Sequence, residues 1–230
     1  MVFGFRKINL LREKIIIALL KMEGGLRDRE YYDYPFLKEV FIEQAYSRLY
    51  LSIKPNTIVL DIGANIGDTA IYFAMNPNVK KVYAYEPVPT TYEAAKENVG
   101  KTPFSKKIIL KNTGIVRNGR IAHMKSEFFR DTNVGEELSE AESTNGKKIR
   151  LLSLNEVLKG KKKVVIKCDI EGGEAKIFKN ADLSNVYAIE LEYHLCKEIV
   201  KSDLQEQFDV IDLHPQQRYG MIFAIKKLRK

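Results

Sequence analysis

Cysteine is scarce. The chain has two in 230 residues, Cys168 and Cys196, and neither belongs to a Cys-x-x-Cys or Cys/His pair. A disulfide framework and a zinc site are both unsupported on that count. Cys168 lies in an apolar run and reads as a small buried hydrophobe rather than a nucleophile. A reducing, cytoplasmic setting is the expectation. Long apolar runs are missing too. Residues 15–20 are apolar but far too few to span a bilayer, and no small-residue cleavage site follows them. Neither a transmembrane segment nor a signal peptide is expected. The dinucleotide fingerprint G-x-G-x-x-G is absent as well.

What is present describes a globular α/β chain. At 45% hydrophobic it can fill a core. Its net charge of +8 is spread over interspersed charges of both signs, which favours solubility and non-specific attraction to anions over a defined nucleic-acid surface. Residues 57–62 form a β-branched run that reads as a strand buried on both faces. Gly63 and Gly67 bracket a turn after it, and Ala70, Ile71, Phe73 and Ala74 follow at helical spacing. Strand, glycine turn and helix present backbone N–H groups to a ligand at a helix N-terminus. The pattern Asp61-x-Gly63-x-Asn65-x-Gly67 matches the D-x-G-x-G-x-G loop of methyltransferases that bind S-adenosylmethionine (SAM). Asn65 replaces the middle glycine, a mild change because asparagine tolerates left-handed backbone angles.

Further acidic residues fall at predicted strand ends. Residues 80–85 read as the second strand, ending at Glu86. An acid about 20 residues beyond the glycine turn is placed to bond ribose hydroxyls. Residues 108–110 read as a third strand running to Asn112-Thr113-Gly114. Residues 163–169 read as a fourth, ending in Asp169-Ile170-Glu171-Gly172-Gly173-Glu174. Three carboxylates in six residues would repel one another in a merely structural turn, and parallel sheets bind ligands at this edge. Residues 187–194 are the fifth strand. Ile189, Leu191 and Tyr193 share one face, and Glu190, Glu192 and His194 the other. Carboxylates are costly inside a parallel sheet, so this strand is expected to reach a site. Two closing strands, 208–213 and 221–225, form an antiparallel pair.

The remaining segments carry weaker signals. Residues 1–52 read as a helical extension separate from the core. Ile8, Leu11, Ile15, Leu19 and Met22 mark one helix, whose basic amphipathic face packs on the core, on a second copy to make a homodimer, or on a membrane surface. A second helix is expected over 35–52. Residues 115–116 and 121–124 read as a hairpin around Asn118-Gly119. Residues 130–146 read as a loop or lid, and Ser153-Leu154-Asn155-Glu156 as a capping box.

Residues 59–69, then Tyr83-Ala84-Tyr85-Glu86-Pro87, then Leu152-Ser153-Leu154-Asn155-Glu156, then 166–174, together resemble the FkbM family of SAM-dependent methyltransferases. The likeness runs over about 57–195. It implies a class I, Rossmann-like methyltransferase domain at 53–230, with a mostly parallel seven-stranded sheet and an antiparallel C-terminal hairpin. It also implies SAM as methyl donor and O-methylation of a sugar or other hydroxylated metabolite. Asp61, Gly63, Ala64, Asn65, Gly67 and Thr69 would then form the methionine side of the cofactor site. Glu86 would hold the ribose, Asn112 and Thr113 would border the adenine, and Asp169 would face the methyl group. Asp169, Glu171 or His194 could draw the proton from the acceptor hydroxyl. A cation held by Asp169, Glu171, Glu192 and His194 is the other option; the metal-free reading is preferred. Paired lysines at 106–107, 147–148, 161–163 and 226–227 keep RNA methylation as an alternative.

Overall fold

The protein is described here from a computed structural model over residues 38–124 and 147–228. The expected helix near the N-terminus, its dimer or membrane face, and the loop at 130–146 lie outside the described residues.

Seven strands make the main sheet. They are β1 (Thr57–Ile62), β2 (Val79–Tyr85), β3 (Ile108–Lys111), β7 (Val164–Cys168), β8 (Val186–His194), β9 (Phe208–Asp212) and β10 (Tyr219–Lys226), in the order β3-β2-β1-β7-β8-β10-β9. From β3 to β8 every pairing is parallel, and β10 runs antiparallel between β8 and β9. This is the sheet expected from the sequence, terminal hairpin included. The order reverses at β1, so the crevice at the carboxyl ends of β1, β2 and β7 is where such a sheet takes ligands. β7 is buried along its whole length. That agrees with its apolar run and leaves Lys167 as an exception to explain.

The helices are short. They are α1 (Ser47–Ser52), α2 (Asp68–Ala74), α3 (Pro89–Gly100), α4 (Leu154–Leu158), α5 (Glu174–Phe178) and α6 (Lys197–Gln205). Pro89 opens α3, where its missing N–H costs nothing. Ser153 caps α4 in a reciprocal box: its hydroxyl accepts from the Glu156 N–H, and Glu156 accepts from the Ser153 N–H at 2.7 Å. Among the described residues no helix is long and apolar enough to cross a membrane.

Two expectations need correction. The single helix over 35–52 is instead a π-type turn (Lys38–Glu43) followed by α1, with a break at Gln44, whose φ is 58°. A left-handed residue cannot continue a right-handed helix. The hairpin around Asn118-Gly119 is also not formed as such. β4 (Thr113–Val116) and β5 (Arg120–Met124) do not pair; β6 (Lys147–Ser153) lies between them, parallel to β4 and antiparallel to β5. An Asn-Gly dipeptide favours a reversal but does not choose the strand that receives it.

Two apolar cores sandwich the sheet. One takes Leu60, Ile166, Ile189 and Leu191 with α4, α5 and α6. The other takes Val59, Val82 and Val165 with α2 and with residues from 40 to 53. The end of the N-terminal segment is therefore part of the core: Val40, Phe41, Tyr46, Leu49 and Ile53 are all buried. Leu49 also donates its N–H to the buried Glu190 at 2.9 Å, which pins α1 onto β8.

Candidate active site

The turn after β1 is shaped by backbone that few side chains allow. Gly63, Asn65 and Gly67 have φ of 77°, 45° and 86°. A Cβ on Gly63 would collide with the carbonyl oxygen of Asp169, so the β1 and β7 tips touch backbone to backbone. Asn65 takes the left-handed angle its position requires, as the sequence suggested. The N–H groups of Gly63 and Ala64 both donate to the Tyr85 carbonyl, tying the turn to the end of β2.

Glu86 closes the other side. One carboxylate oxygen accepts from the Asn65 N–H and the other from the Val88 N–H, each at 2.9 Å. Each oxygen keeps a lone pair free for a hydroxyl. Burial pushes its pKa up to about 7, against the pull of those two N–H groups. Asn112 spends its side-chain amide on the carbonyls of Glu86 and Pro87. Thr113, also buried, donates its N–H to the Glu86 carbonyl. Both therefore hold the β2 tip in place.

Beneath the turn lies an ion pair within the sheet. Asp61 is completely buried and accepts from the Thr69 hydroxyl at 2.7 Å. Its other oxygen faces Lys167 Nζ at 3.4 Å, too long for a good hydrogen bond but a close ionic contact. Lys167 also donates to the Gly63 carbonyl at 2.6 Å. Burial opposes its charge, but Asp61, Asp169 and Asp68 outweigh burial and hold the ammonium charged beyond the usual lysine range. Asp61 and Thr69 thus brace the turn from below.

The β7 and β8 tips carry the acidic cluster. His194 is held between two carboxylates, with Nε2 3.1 Å from Glu171 and Nδ1 3.1 Å from Glu174. Burial disfavours the imidazolium, yet those two hydrogen bonds raise its pKa to about 11. With both nitrogens donating, His194 holds a proton rather than takes one. Glu174 is fully buried and also accepts from the N–H groups of Ile170 and Gly172. Glu171 reaches the ring from a left-handed backbone angle of 56°, a strained conformation of the kind that gathers at functional sites. Glu192 stands 4.0 Å from the ring, and burial pushes its pKa up to about 7. Asp169 differs from all of these: its Oδ1 is buried without any hydrogen-bond partner, and burial raises its pKa. Asp169, Glu174 and His194 also place one ligand atom each within 4.8 Å of one another, so these three could hold a cation.

The model of the methyltransferase FkbM domain matches residues 61–219, most of the chain and all of the crevice just described. The chain belongs to the FkbM methyltransferase family. Within the FkbM group, it is 31% identical over 61 residues to the 31-O-demethyl-FK506 methyltransferase FkbM of Streptomyces tacrolimicus, covering 26% of this chain and 24% of that one. It is 34% identical over 64 residues to the AMB antimetabolite synthetase AmbE of Pseudomonas aeruginosa, covering 28% of this chain and 3% of that one. The aligned part is thus well under two thirds of either relative's length. A solved FkbM methyltransferase from Methylobacillus flagellatus superposes with a TM-score of 0.49 at 12% identity, over 94% of this chain and 58% of that one.

SAM, the methyl donor of FkbM methyltransferases, fits the residues present: a left-handed glycine turn at the end of β1, and a β2 carboxylate with acceptor capacity to spare. Sequence reasoning did not single out Lys167, Glu39 or Tyr46, and it placed Glu174 in the acidic run at the strand end without giving it a role of its own. A lysine inside an all-buried strand was the available signal for Lys167. For Glu39 and Tyr46 no local pattern exists, because their place depends on how 38–53 folds back over the sheet.

Proposed function

We propose that this chain transfers a methyl group from SAM to a hydroxyl oxygen of a small metabolite, such as a saccharide. The observation that carries the reading is Asp169: a buried carboxylate oxygen with no partner, at a strand tip whose backbone abuts the cofactor turn. A hydroxyl is a poor nucleophile until its proton is drawn off, and an unpartnered carboxylate of raised pKa is suited to receive it. SAM supplies an activated methyl group, so the oxygen–carbon bond forms as the carbon–sulfur bond breaks, the hydroxyl proton passes to Asp169, and S-adenosylhomocysteine (SAH) leaves.

The chain's own residues do the rest. Gly63, Ala64, Asn65 and Gly67 shape the cradle, and Asp61 and Thr69 support it from beneath. Glu86 binds the ribose, with Asn112 and Thr113 fixing the strand end that carries it. His194, clamped by Glu171 and Glu174, keeps the β7 and β8 tips together and offsets their negative charge. Orientation of this kind can contribute on the order of 7–11 kcal/mol in the best cases. Both cysteines are free, which suits a reducing compartment such as the cytoplasm.

RNA as acceptor has less support. Several of the paired lysines are engaged within the protein: Lys107 with the Ala74 and Asn76 carbonyls, Lys161 with the Val157 carbonyl, and Lys226 with Leu183 and Gln207. A mouth lined by Asp169, Glu171 and Glu192 would also repel phosphates. RNA binding that weakens steeply with salt would revive that reading. The direct test follows labelled methyl from SAM into a panel of sugars and polyols. Asp169→Ala should lower transfer by roughly 10²–10⁴ while SAM binding by calorimetry persists. Undiminished transfer would reject the assignment.

A further inference from the structure

Tyr46 precedes α1 and lies outside the stretch matched by the family model. It is 2% exposed. Its ring packs near Phe73 and lies under Lys167 Nζ, 5.4 Å from the ring centroid. That same Nζ is bonded to the Gly63 carbonyl, and Gly63 abuts the Asp169 carbonyl. The phenol is therefore lodged beside the cofactor turn, on the side of the β7 tip. Burial first, then the charges of Asp169, Glu192 and Glu39, keep it protonated far above the usual tyrosine range. Yet its hydroxyl has no hydrogen-bond partner among the described residues. Unlike Asp169 Oδ1, that oxygen is not fully buried, which leaves its proton open to a group from outside the protein.

The site thus holds two orphans of opposite kind. Tyr46 offers a donor, and Asp169 Oδ1 is an acceptor with nothing to accept. An apolar group would satisfy neither. A cation would suit the carboxylate and leave the phenol proton idle. A hydroxyl satisfies both. Its oxygen has four tetrahedral directions: one bond to carbon, one to hydrogen and two lone pairs.

Building on the methyl-transfer reading, we propose that Tyr46 is a further catalytic residue: its O–H donates to the acceptor's hydroxyl oxygen while Asp169 Oδ1 takes that hydroxyl's proton. One lone pair is then held by Tyr46 and one is left to attack. The new oxygen–carbon bond forms from that second pair, the methyl's bond to sulfur breaks onto sulfur, and the proton ends on Asp169. Tyr46 loses no proton; it fixes the direction from which the oxygen can react. The site is thereby matched to an alcohol. A protonated amine has no lone pair to accept from the phenol.

Crystals of the full chain with SAH test this before any acceptor is in hand. An ordered water should stand in for the acceptor hydroxyl, roughly 2.6–3.2 Å from both Tyr46 Oη and Asp169 Oδ1. In Tyr46→Phe the ring should stay under Lys167, SAH affinity should change less than about twofold, and the water should be lost or displaced. With any sugar or polyol that takes labelled methyl from SAM, the same variant should be slower by roughly 10²-fold, the effect of a small misplacement of reacting atoms. Two results overturn the proposal while leaving the methyl-transfer reading intact: a Tyr46 hydroxyl bonded to another protein group in the SAH complex, or a water that keeps its place in Tyr46→Phe. A crevice that stays empty at millimolar SAH would instead remove the underlying reading, and this proposal with it.

Discussion

At the β1–β2 end of the sheet edge nearly every polar group has a partner; at the β7–β8 end some do not. Glu86 spends both oxygens on backbone N–H groups, Asn112 bonds two carbonyls, and Asp61 accepts from Thr69 while its Oδ1, without a hydrogen bond, faces the Lys167 ammonium at 3.4 Å. At the other end Asp169 Oδ1 has no hydrogen-bond partner, Glu192 is only loosely neighboured by His194, and the Tyr46 hydroxyl has no partner among the described residues. The first end can keep its shape unaided, whereas the second gathers carboxylates that His194 holds together and includes a left-handed turn at Glu171. A rigid cradle beside an unmatched pocket is what a two-substrate enzyme needs if one ligand is constant and the other must be aligned against it.

The largest effect should come from breaking the support under the satisfied end. Lys167→Met removes the ammonium that faces Asp61 and leaves a fully buried carboxylate with the Thr69 hydroxyl as its remaining donor among the described residues. Deleting one partner of a buried ion pair costs about 3–5 kcal/mol. For a chain of this size that is a fall in Tm of roughly 6–20 °C. A thermal shift near zero would mean that Lys167 is not what keeps Asp61 charged.

Most of the satisfied end could be read from the sequence, and little of what supports it. The turn at 63–67 and the acid at the β2 tip follow from local spacing, because backbone angles and strand periodicity are local properties; the mostly parallel sheet with its terminal hairpin came with the family resemblance. The Lys167–Asp61 pair joins residues more than a hundred positions apart, and only the register of β1 against β7 brings them together. The unmatched end was half legible: Asp169, Glu171 and His194 stand out as polar residues where apolar ones belong. Their arrangement did not, since His194 reads equally well as a base until both of its nitrogens are seen to donate. Tyr46 was illegible, because the segment around it was expected to be a plain helix and instead breaks at Gln44 to fold over the sheet.

A smaller effect should sharpen the difference between the two ends. Glu86→Gln keeps the size of the side chain but removes its charge, and it replaces one accepting oxygen by a donor that opposes the Asn65 or Val88 N–H. Hydrogen bonds to charged groups contribute about 1.5–3 kcal/mol, so SAM affinity should drop roughly 10- to 150-fold by calorimetry. The wild-type affinity should also depend on pH. Burial holds the Glu86 pKa up at about 7, so raising the pH through that value ionises it and should tighten SAM binding. The sign for stability is opposite. A raised carboxyl pKa means the folded, ligand-free chain holds its proton more firmly than the unfolded one, so this group's contribution is full below the ordinary 4.5 and is lost as pH rises through about 7. Glu86→Gln should flatten both trends; a SAM affinity that is unchanged, or equally pH-dependent, in the variant would take Glu86 out of the cofactor site.

The smallest effect provides the control, because it lies on neither end. Ser153 and Glu156 satisfy each other's backbone N–H groups at the start of α4. Ser153→Ala removes the hydroxyl that caps the Glu156 N–H while Glu156 can still accept from the residue 153 N–H. A lost N-cap costs about 0.5–2 kcal/mol, a few degrees in Tm. SAM affinity and its pH dependence should not change. If they did change, the crevice would be sensitive to general loosening of the fold, and the effects of Glu86→Gln could no longer be assigned to contact with the cofactor; if only Tm moves, the two ends of the sheet edge can be compared on their own chemistry.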